Sequence, residues 1–196
     1  MKTYKKFVTE KKGDTVVFTF GRFNPPTVGH EKLITAVQSV ARTRGGDFFV
    51  YPSHSQDPKK NPLNQATKIK YMKKMFPKFK KNIIASSGKT ALNIAAELYK
   101  KKYTTLVMVV GSDRVDEFQR ILDKYNGQDL AHGFYDFDQI YVVSAGERDP
   151  DAEGVEGMSA SKMRAAAVAG DFKSFRMGTP KALSDSDTKQ LFNDIR

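Results

Sequence analysis

The chain has 196 residues, 39% hydrophobic and 28% charged, which suits one α/β domain of soluble type rather than two. No apolar run approaches the ~18 residues needed to cross a bilayer, and Met1–Lys12 is lysine-rich without the apolar stretch of a secretory signal, so no membrane insertion is expected. Cysteine is absent, which excludes disulfides and thiolate zinc sites and suits a reducing cytoplasm; 33 Lys and Arg against 22 acids, a net +11, favour an anionic partner without choosing between nucleic acid, a polyphosphate and an anionic membrane surface.

In chain order, Val16–Phe20 predicts a strand, and Leu33, Ile34, Val37 and Val40 recur at helical spacing. Phe48–Tyr51 predicts a second strand stopped by Pro52, and Asp57–Asn64, with two prolines and Lys59-Lys60, a loop. Ile69, Met72, Met75 and Phe76 mark the inward face of a helix ending before Pro77. Ile83–Ala85 predicts a third strand, and Leu92, Ala95, Ala96 and Tyr99 the next helix. Leu106–Val110, apolar throughout, is the strongest strand signal. Val115, Phe118, Leu122 and Tyr125 line a further helix, Ile140–Val143 gives a fifth strand, and Ser159–Ala169 a helix stopped near Gly170.

Strands apolar on both faces, alternating with helices, predict an α/β fold: a Rossmann-like, doubly wound parallel sheet of about five strands with helices on both faces. Residues 1–172 are expected to form it, and 173–196 a helical extension of the same domain. In such sheets ligands sit beyond the carboxyl ends of the strands, which directs attention to the segments just after each strand.

Gly21-Arg22-Phe23-Asn24-Pro25-Pro26-Thr27-Val28-Gly29-His30 follows the first strand and opens the first helix. Two prolines stiffen the turn, Gly29 permits close backbone approach, and His30 falls where free N–H groups and the helix dipole attract anions. On spacing alone this is either a rigid loop with a capping histidine or a phosphate site served by Thr27 and His30. A second block, Glu156-Gly157-Met158-Ser159-Ala160-Ser161-Lys162-Met163-Arg164, offers an N-cap, hydroxyls and two cations within about one helical turn. Alone, it reads equally as a capped basic surface helix.

The first block resembles the signature of the nucleotidyltransferase superfamily, Gly-x-Phe-(Asn/Asp)-Pro followed by (His/Thr)-x-Gly-His, and the second is similar to its late motif, Ile-Ser-x-Thr-x-x-Arg, with Met158 for Ile and Ser161 for Thr. The resemblance implies transfer of a nucleotidyl group from a nucleoside triphosphate to a phosphate-bearing molecule, with release of pyrophosphate and Mg²⁺ as cofactor. It implies that His30, Thr27 and Arg164 are catalytic, and that Gly21, Arg22, Phe23, Asn24, Gly29, Ser159, Ser161 and Lys162 contribute to binding. Gly111-Ser112-Asp113-Arg114 follows the strongest strand, and similar adenylyltransferases hold the ribose with the carboxylate of a Gly-x-Asp there. Asp113, with Gly111, is the candidate; an ordinary helix cap is the alternative.

The substrate pair stays open at this level. Gly-Arg-Phe-x-Pro and Arg164 resemble the nicotinamide mononucleotide adenylyltransferases, which favours ATP with nicotinamide mononucleotide as acceptor. Thr27 is closer to the pantetheine-phosphate adenylyltransferases, and Glu156-Gly157-Met158-Ser159 is similar to cytidylyltransferases that build lipid head-group precursors. The chain also resembles cytidylyltransferase-like proteins of large tailed phages. Related enzymes bind the acceptor near Lys59-Lys60, where solvated loop charge is the other reading.

A rival from another class is a nucleic-acid-binding module on a retained fold, carried by Lys68, Lys70, Lys73, Lys74, Lys78, Lys80 and Lys81. A synthetase fragment is excluded by length. Ser87-Gly88-Lys89-Thr90 is not a phosphate loop, because the position that needs its first glycine is Ile83. His54 and His132 lack partners at metal-ligand spacing. The acidic Glu147–Glu156 loop is expected either to steer Mg²⁺ or merely to be mobile. A homo-oligomer is compatible with all of this.

Overall fold

The computed structural model describes residues 14–146 and 158–196; the readings of Met1–Lys12 and Glu147–Gly157 lie outside them. Four strands, β1 (Thr15–Gly21), β2 (Asp47–Pro52), β3 (Thr105–Val110) and β4 (Gln139–Ser144), form a parallel sheet in the order β2-β1-β3-β4. The helices are α1 (Val28–Arg44), α2 (Gln65–Met75), α3 (Ala91–Lys100), α4 (Val115–Tyr125), α5 (Ala160–Val168), α6 (Phe172–Met177) and α7 (Asp185–Ile195), with 3₁₀ turns at Pro77–Phe79 and Ser112–Arg114. The fold is Rossmann-like α/β, and the order reverses at β1, whose neighbours β2 and β3 lie on opposite sides.

Alternation along each strand sends successive side chains to opposite faces. Val17, Val107 and Val109 pack with Val37 and Ala41 of α1. Val16, Phe18, Leu106 and Met108 pack on the other face with Ile94, Ala95 and Leu98 of α3 and Leu122 of α4. Each such side chain, fully buried, contributes about 1.5–3 kcal/mol relative to exposure. A third cluster joins Tyr71, Met72 and Met75 of α2 to Met163 of α5, Phe175 of α6 and Leu191 and Phe192 of α7. The chain's end is therefore built into the core. Gly178 of that end accepts a hydrogen bond at 2.9 Å from the Val28 N–H, the first amide of α1.

The predicted third strand shrinks to one residue. Ile83 makes a single parallel bridge to Val50, with Val50 N–H on Asn82 O and Ile84 N–H on Val50 O. The next rung would need an amide from residue 52, and Pro52 has none. On the other side Phe48 O is already taken by the Asn82 side chain, which displaces the backbone rung. The sheet thus has four strands rather than five. At the α1–β2 turn Gly45 adopts φ 63°, and a Cβ on Gly46 would lie 2.5 Å from Thr15 O, so this tight return needs both glycines. Among the described residues no helix is long and apolar enough to cross a membrane.

Candidate active site

The loop after β1 is held from within. Thr27 is the N-cap of α1, and its N–H donates to Nδ1 of His30 at 2.9 Å, with the Thr27 hydroxyl 3.1 Å from the same nitrogen. This is a capping box with histidine at the third helical position. A nitrogen that accepts an N–H carries a lone pair, so the neutral ring bears its proton on Nε2. Phe23, at φ 45°, sets its ring 4.8 Å from that of His30, and His30 keeps 8% of its surface exposed. The Thr27 hydroxyl is buried against the histidine rather than lying open beside it. Gly29 is exposed, and a Cβ there would meet only Thr27 Oγ1 at 3.6 Å, an ordinary contact.

Asn24, also buried, clamps a second loop. Its Nδ2 donates to Leu63 O at 2.9 Å and its Oδ1 accepts from Leu63 N–H at 3.0 Å. The Gly21 carbonyl accepts from Ser53 N–H at 2.8 Å. The arm from Ser53 to Leu63 is thereby fixed to the β1 loop at both of its ends. Within the arm Asp57 accepts from the N–H groups of Lys59 and Lys60 and from the Asn61 side chain, which turns both lysines outward at the tip. The Lys60 N–H bond, followed by the Asn61 side-chain bond, holds the Asp57 carboxyl below its ordinary range.

The late motif meets the early one through Arg164. Ser159 caps α5 by accepting from Lys162 N–H at 3.2 Å. One turn in, Arg164 donates to Asn24 O at 2.7 Å across 140 residues of sequence and to Ser161 Oγ at 3.0 Å. Burial, then the charge of Arg22, hold the Arg164 guanidinium below its ordinary value, with Asp57 acting in the opposite direction. Two arginines therefore share one electrostatic neighbourhood where β1 ends. Lys162 and Ser161 lie exposed beside them. Gly111 and Asp113 stand at the carboxyl end of the neighbouring strand β3, where a Cβ on Gly111 would lie 2.8 Å from Asp113 Oδ1. No hydrogen bond among the described residues ties Asp113 to the other motif residues.

Lys68 corrects the expectation of a basic outer helix. It is fully buried, and its Nζ donates to Ser53 O, to Ser55 O at 3.3 Å and to Ser53 Oγ at 3.4 Å. Burial brings its pKa down to about 8. Lys74 is drawn into an ion pair with Asp187. The exposed lysines of this segment are Lys70, Lys74, Lys78, Lys80 and Lys81, with Lys73 half-buried and Lys74 engaged by Asp187. The missed signal was periodicity: Lys68 stands three, four and seven residues before Tyr71, Met72 and Met75, on the inward stripe of α2.

The Ser87–Thr90 segment turns its donors inward. Gly88 N–H and the Ser87 hydroxyl bind Glu97 Oε1 at 2.8 and 2.7 Å, so a side-chain carboxylate occupies the turn. His54 Nε2 lies 2.7 Å from Ser86 O, and His132 packs between Tyr125 and Tyr135 in the loop that leads into β4. Among the described residues no three His, Cys, Asp or Glu side chains gather to hold a metal.

A family model for cytidylyltransferase-like proteins matches residues 18–166, which spans both motifs. The chain belongs to the cytidylyltransferase-like family. As a member it is a nucleotidyltransferase, and the two motifs joined by Arg164 are the ends of the family's matched region. A solved structure with the same fold is a putative nicotinate-nucleotide adenylyltransferase from Vibrio parahaemolyticus, 17% identical, with 91% of this chain and 99% of that chain covered at a TM-score of 0.52. No curated protein sequence matches.

Proposed function

We propose that this cytidylyltransferase-like protein transfers an adenylyl group from ATP to a phosphate-bearing small molecule, with nicotinamide mononucleotide the leading acceptor, and releases pyrophosphate. The observation that carries the reading is Arg164, whose guanidinium joins the Asn24 carbonyl to Ser161 while facing the like charge of Arg22. Two guanidinium groups held near one another are stabilised by an anion between them, and a triphosphate supplies one. The adenylyl donor and a pyridine-nucleotide acceptor are favoured by the Gly-Arg-Phe-x-Pro pattern and by the activity for which the Vibrio protein is named. Cytidylyl transfer and phosphopantetheine as acceptor are the alternatives within the class.

The chemistry asks little of the protein in proton transfer. An acceptor phosphate oxygen, already ionised, attacks the α-phosphorus; the bond from that phosphorus to the α–β bridging oxygen breaks, and the electron pair leaves with pyrophosphate. Catalysis then consists of in-line positioning and compensation of charge. His30 presents Nε2–H from the helix terminus toward the phosphates, with Thr27 fixing the ring. Arg164, Lys162 and the Ser159–Ser161 turn face the β- and γ-phosphates. Asp113 accepts from the ribose hydroxyls, and Gly111 leaves room for its carboxylate. Gly21, Phe23 and Asn24 hold the backbone frame, Arg22 meets a substrate phosphate, and exposed Gly29 lets the nucleotide approach α1. Mg²⁺ fits this donor set as the companion of the triphosphate oxygens rather than of a protein cage, and when bound it neutralises phosphate charge.

The test is a pyrophosphate-release screen with Mg²⁺, each of ATP, CTP, GTP and UTP, and nicotinamide mononucleotide, nicotinate mononucleotide, phosphopantetheine, glycerol 3-phosphate and phosphocholine, with His30→Ala as blank. Release with one pair, lost in the blank, supports the reading; release unchanged in the blank refutes the assigned site. A nucleic-acid-binding role is the second reading, favoured by the absence of any acid between Asp57 and Glu97. It requires duplex or RNA binding that weakens steeply with salt.

A further inference from the structure

A lysine with no exposed surface needs a physical account. Removing an ammonium group from water is costly unless it is paired and hydrogen-bonded. Lys68 forms no ion pair among the described residues, and every partner it has is a neutral oxygen of Ser53 or Ser55. Those oxygens explain its presence. The ladder ends at Pro52, so the carbonyls that follow have no strand to receive them, and α2 supplies side chains instead: Gln65 Nε2 donates to Pro52 O at 2.9 Å, and Lys68 takes those of Ser53 and Ser55. A charged donor makes stronger bonds to carbonyls than a neutral one. Lys68 therefore fixes the root of the Ser53–Leu63 arm.

The arm has a defined place. The β1 loop occupies the centre of the carboxyl edge, Gly111 and Asp113 end the strand on one side of it, and the arm springs from β2 on the other. The root is bound to the site backbone through Ser53 N–H on Gly21 O, the far end through Asn24 and Leu63, and Lys59 and Lys60 stand at the tip. If the nucleotide takes the β3 side, the β2 side receives the other substrate.

We propose that Lys68 is a positioning residue for the acceptor side of the site: its buried ammonium group ties Ser53 and Ser55 to α2, holds Ser53 where its N–H meets Gly21, the last residue of β1, and so sets the distance of the arm from the transferring phosphate. Lys68 touches no substrate. Its effect passes through Ser53 to Gly21 and along the arm to Lys59 and Lys60. The proposal rests on the nucleotidyl-transfer reading for what the arm faces, and not for the hold of Lys68 on its root.

The experiment uses the full chain and two variants. Lys68→Met keeps the volume and removes every donor; Lys68→Gln keeps a neutral donor. Hydrogen exchange by mass spectrometry on the ligand-free protein follows the peptide over Ser53–Gln56, with that over Thr105–Val110 as internal control. Pyrophosphate release with the active substrate pair gives the KM of each substrate. For Lys68→Met the expected result is exchange at least tenfold faster over Ser53–Gln56 with the control unchanged, and an acceptor KM raised about tenfold with the triphosphate KM within twofold. Lys68→Gln recovers part of both. Unchanged exchange at Ser53–Gln56 overturns the proposal, as does exchange that quickens everywhere or a rise of both KM values together. A chain silent with every substrate pair refutes nucleotidyl transfer, while the exchange result still decides whether Lys68 holds the arm.

Discussion

Replacing His30 by alanine and, separately, by glutamine divides its two tasks. In the structure Nδ1 accepts the Thr27 N–H while the ring packs at 4.8 Å on Phe23. Alanine removes both, at about 1 kcal/mol for the cap and about 1 kcal/mol for the ring contact. For a chain of this size a loss of about 2 kcal/mol lowers the melting temperature by about 4–8 °C. Glutamine is a natural partner in a capping box, and its Oε1 accepts the same N–H, so about half of that loss is recovered. Neither variant carries the imidazole Nε2–H. Both are expected to lose on the order of a hundredfold or more in turnover, as for removal of one donor aimed at developing charge. Thermal melting and pyrophosphate release on the three proteins make the comparison. Turnover within a few-fold of wild type in the glutamine variant refutes the role of Nε2–H; turnover that tracks melting temperature across the three reduces His30 to a cap.

Asn24→Ala leaves the Leu63 N–H and carbonyl without partners in a buried place, and urea unfolding should register a loss of about 2–4 kcal/mol. A loss below 0.5 kcal/mol contradicts the clamp. Gly111→Ala places a Cβ 2.8 Å from Asp113 Oδ1, so it should raise the KM for the triphosphate severalfold with the acceptor KM unchanged. The pH dependence of stability reports Lys68. Its pKa falls from 10.5 to about 8 on folding, so between those values the unfolded chain holds more protons and stability rises with pH. From pH 7.5 to 9.5 the gain is about 2 kcal/mol relative to Lys68→Met, a comparison that cancels the buried tyrosines, which burial holds above their ordinary range. Parallel profiles for the two proteins would mean that the folded chain holds the Lys68 proton as firmly as the unfolded one, and refute the lowered pKa.

The sequence by itself determined the strands Val16–Phe20, Phe48–Tyr51, Leu106–Val110 and Ile140–Val143, because segments apolar on both faces are satisfied only inside a parallel sheet. It also determined that Thr27-x-Gly-His30 opens a helix and that Ser159 caps another, since cap residues act on amides only a few positions away. The family resemblance rested on the same local blocks. What needed the tertiary structure is what passes between distant segments. Ile83–Ala85 carries a strand pattern, yet its pairing was decided by the missing amide of Pro52 on the neighbouring strand. Periodicity places Lys68 on the inward stripe of α2, yet only the fold shows that its ammonium group meets the carbonyls of Ser53 and Ser55 there. Arg164 could be matched to a motif, but only folding brought it to Asn24 and beside Arg22. Periodicity and capping are short-range and leave a trace in neighbouring residues. The partner of a buried donor is set by which loops the sheet brings to one edge, and no local pattern records that.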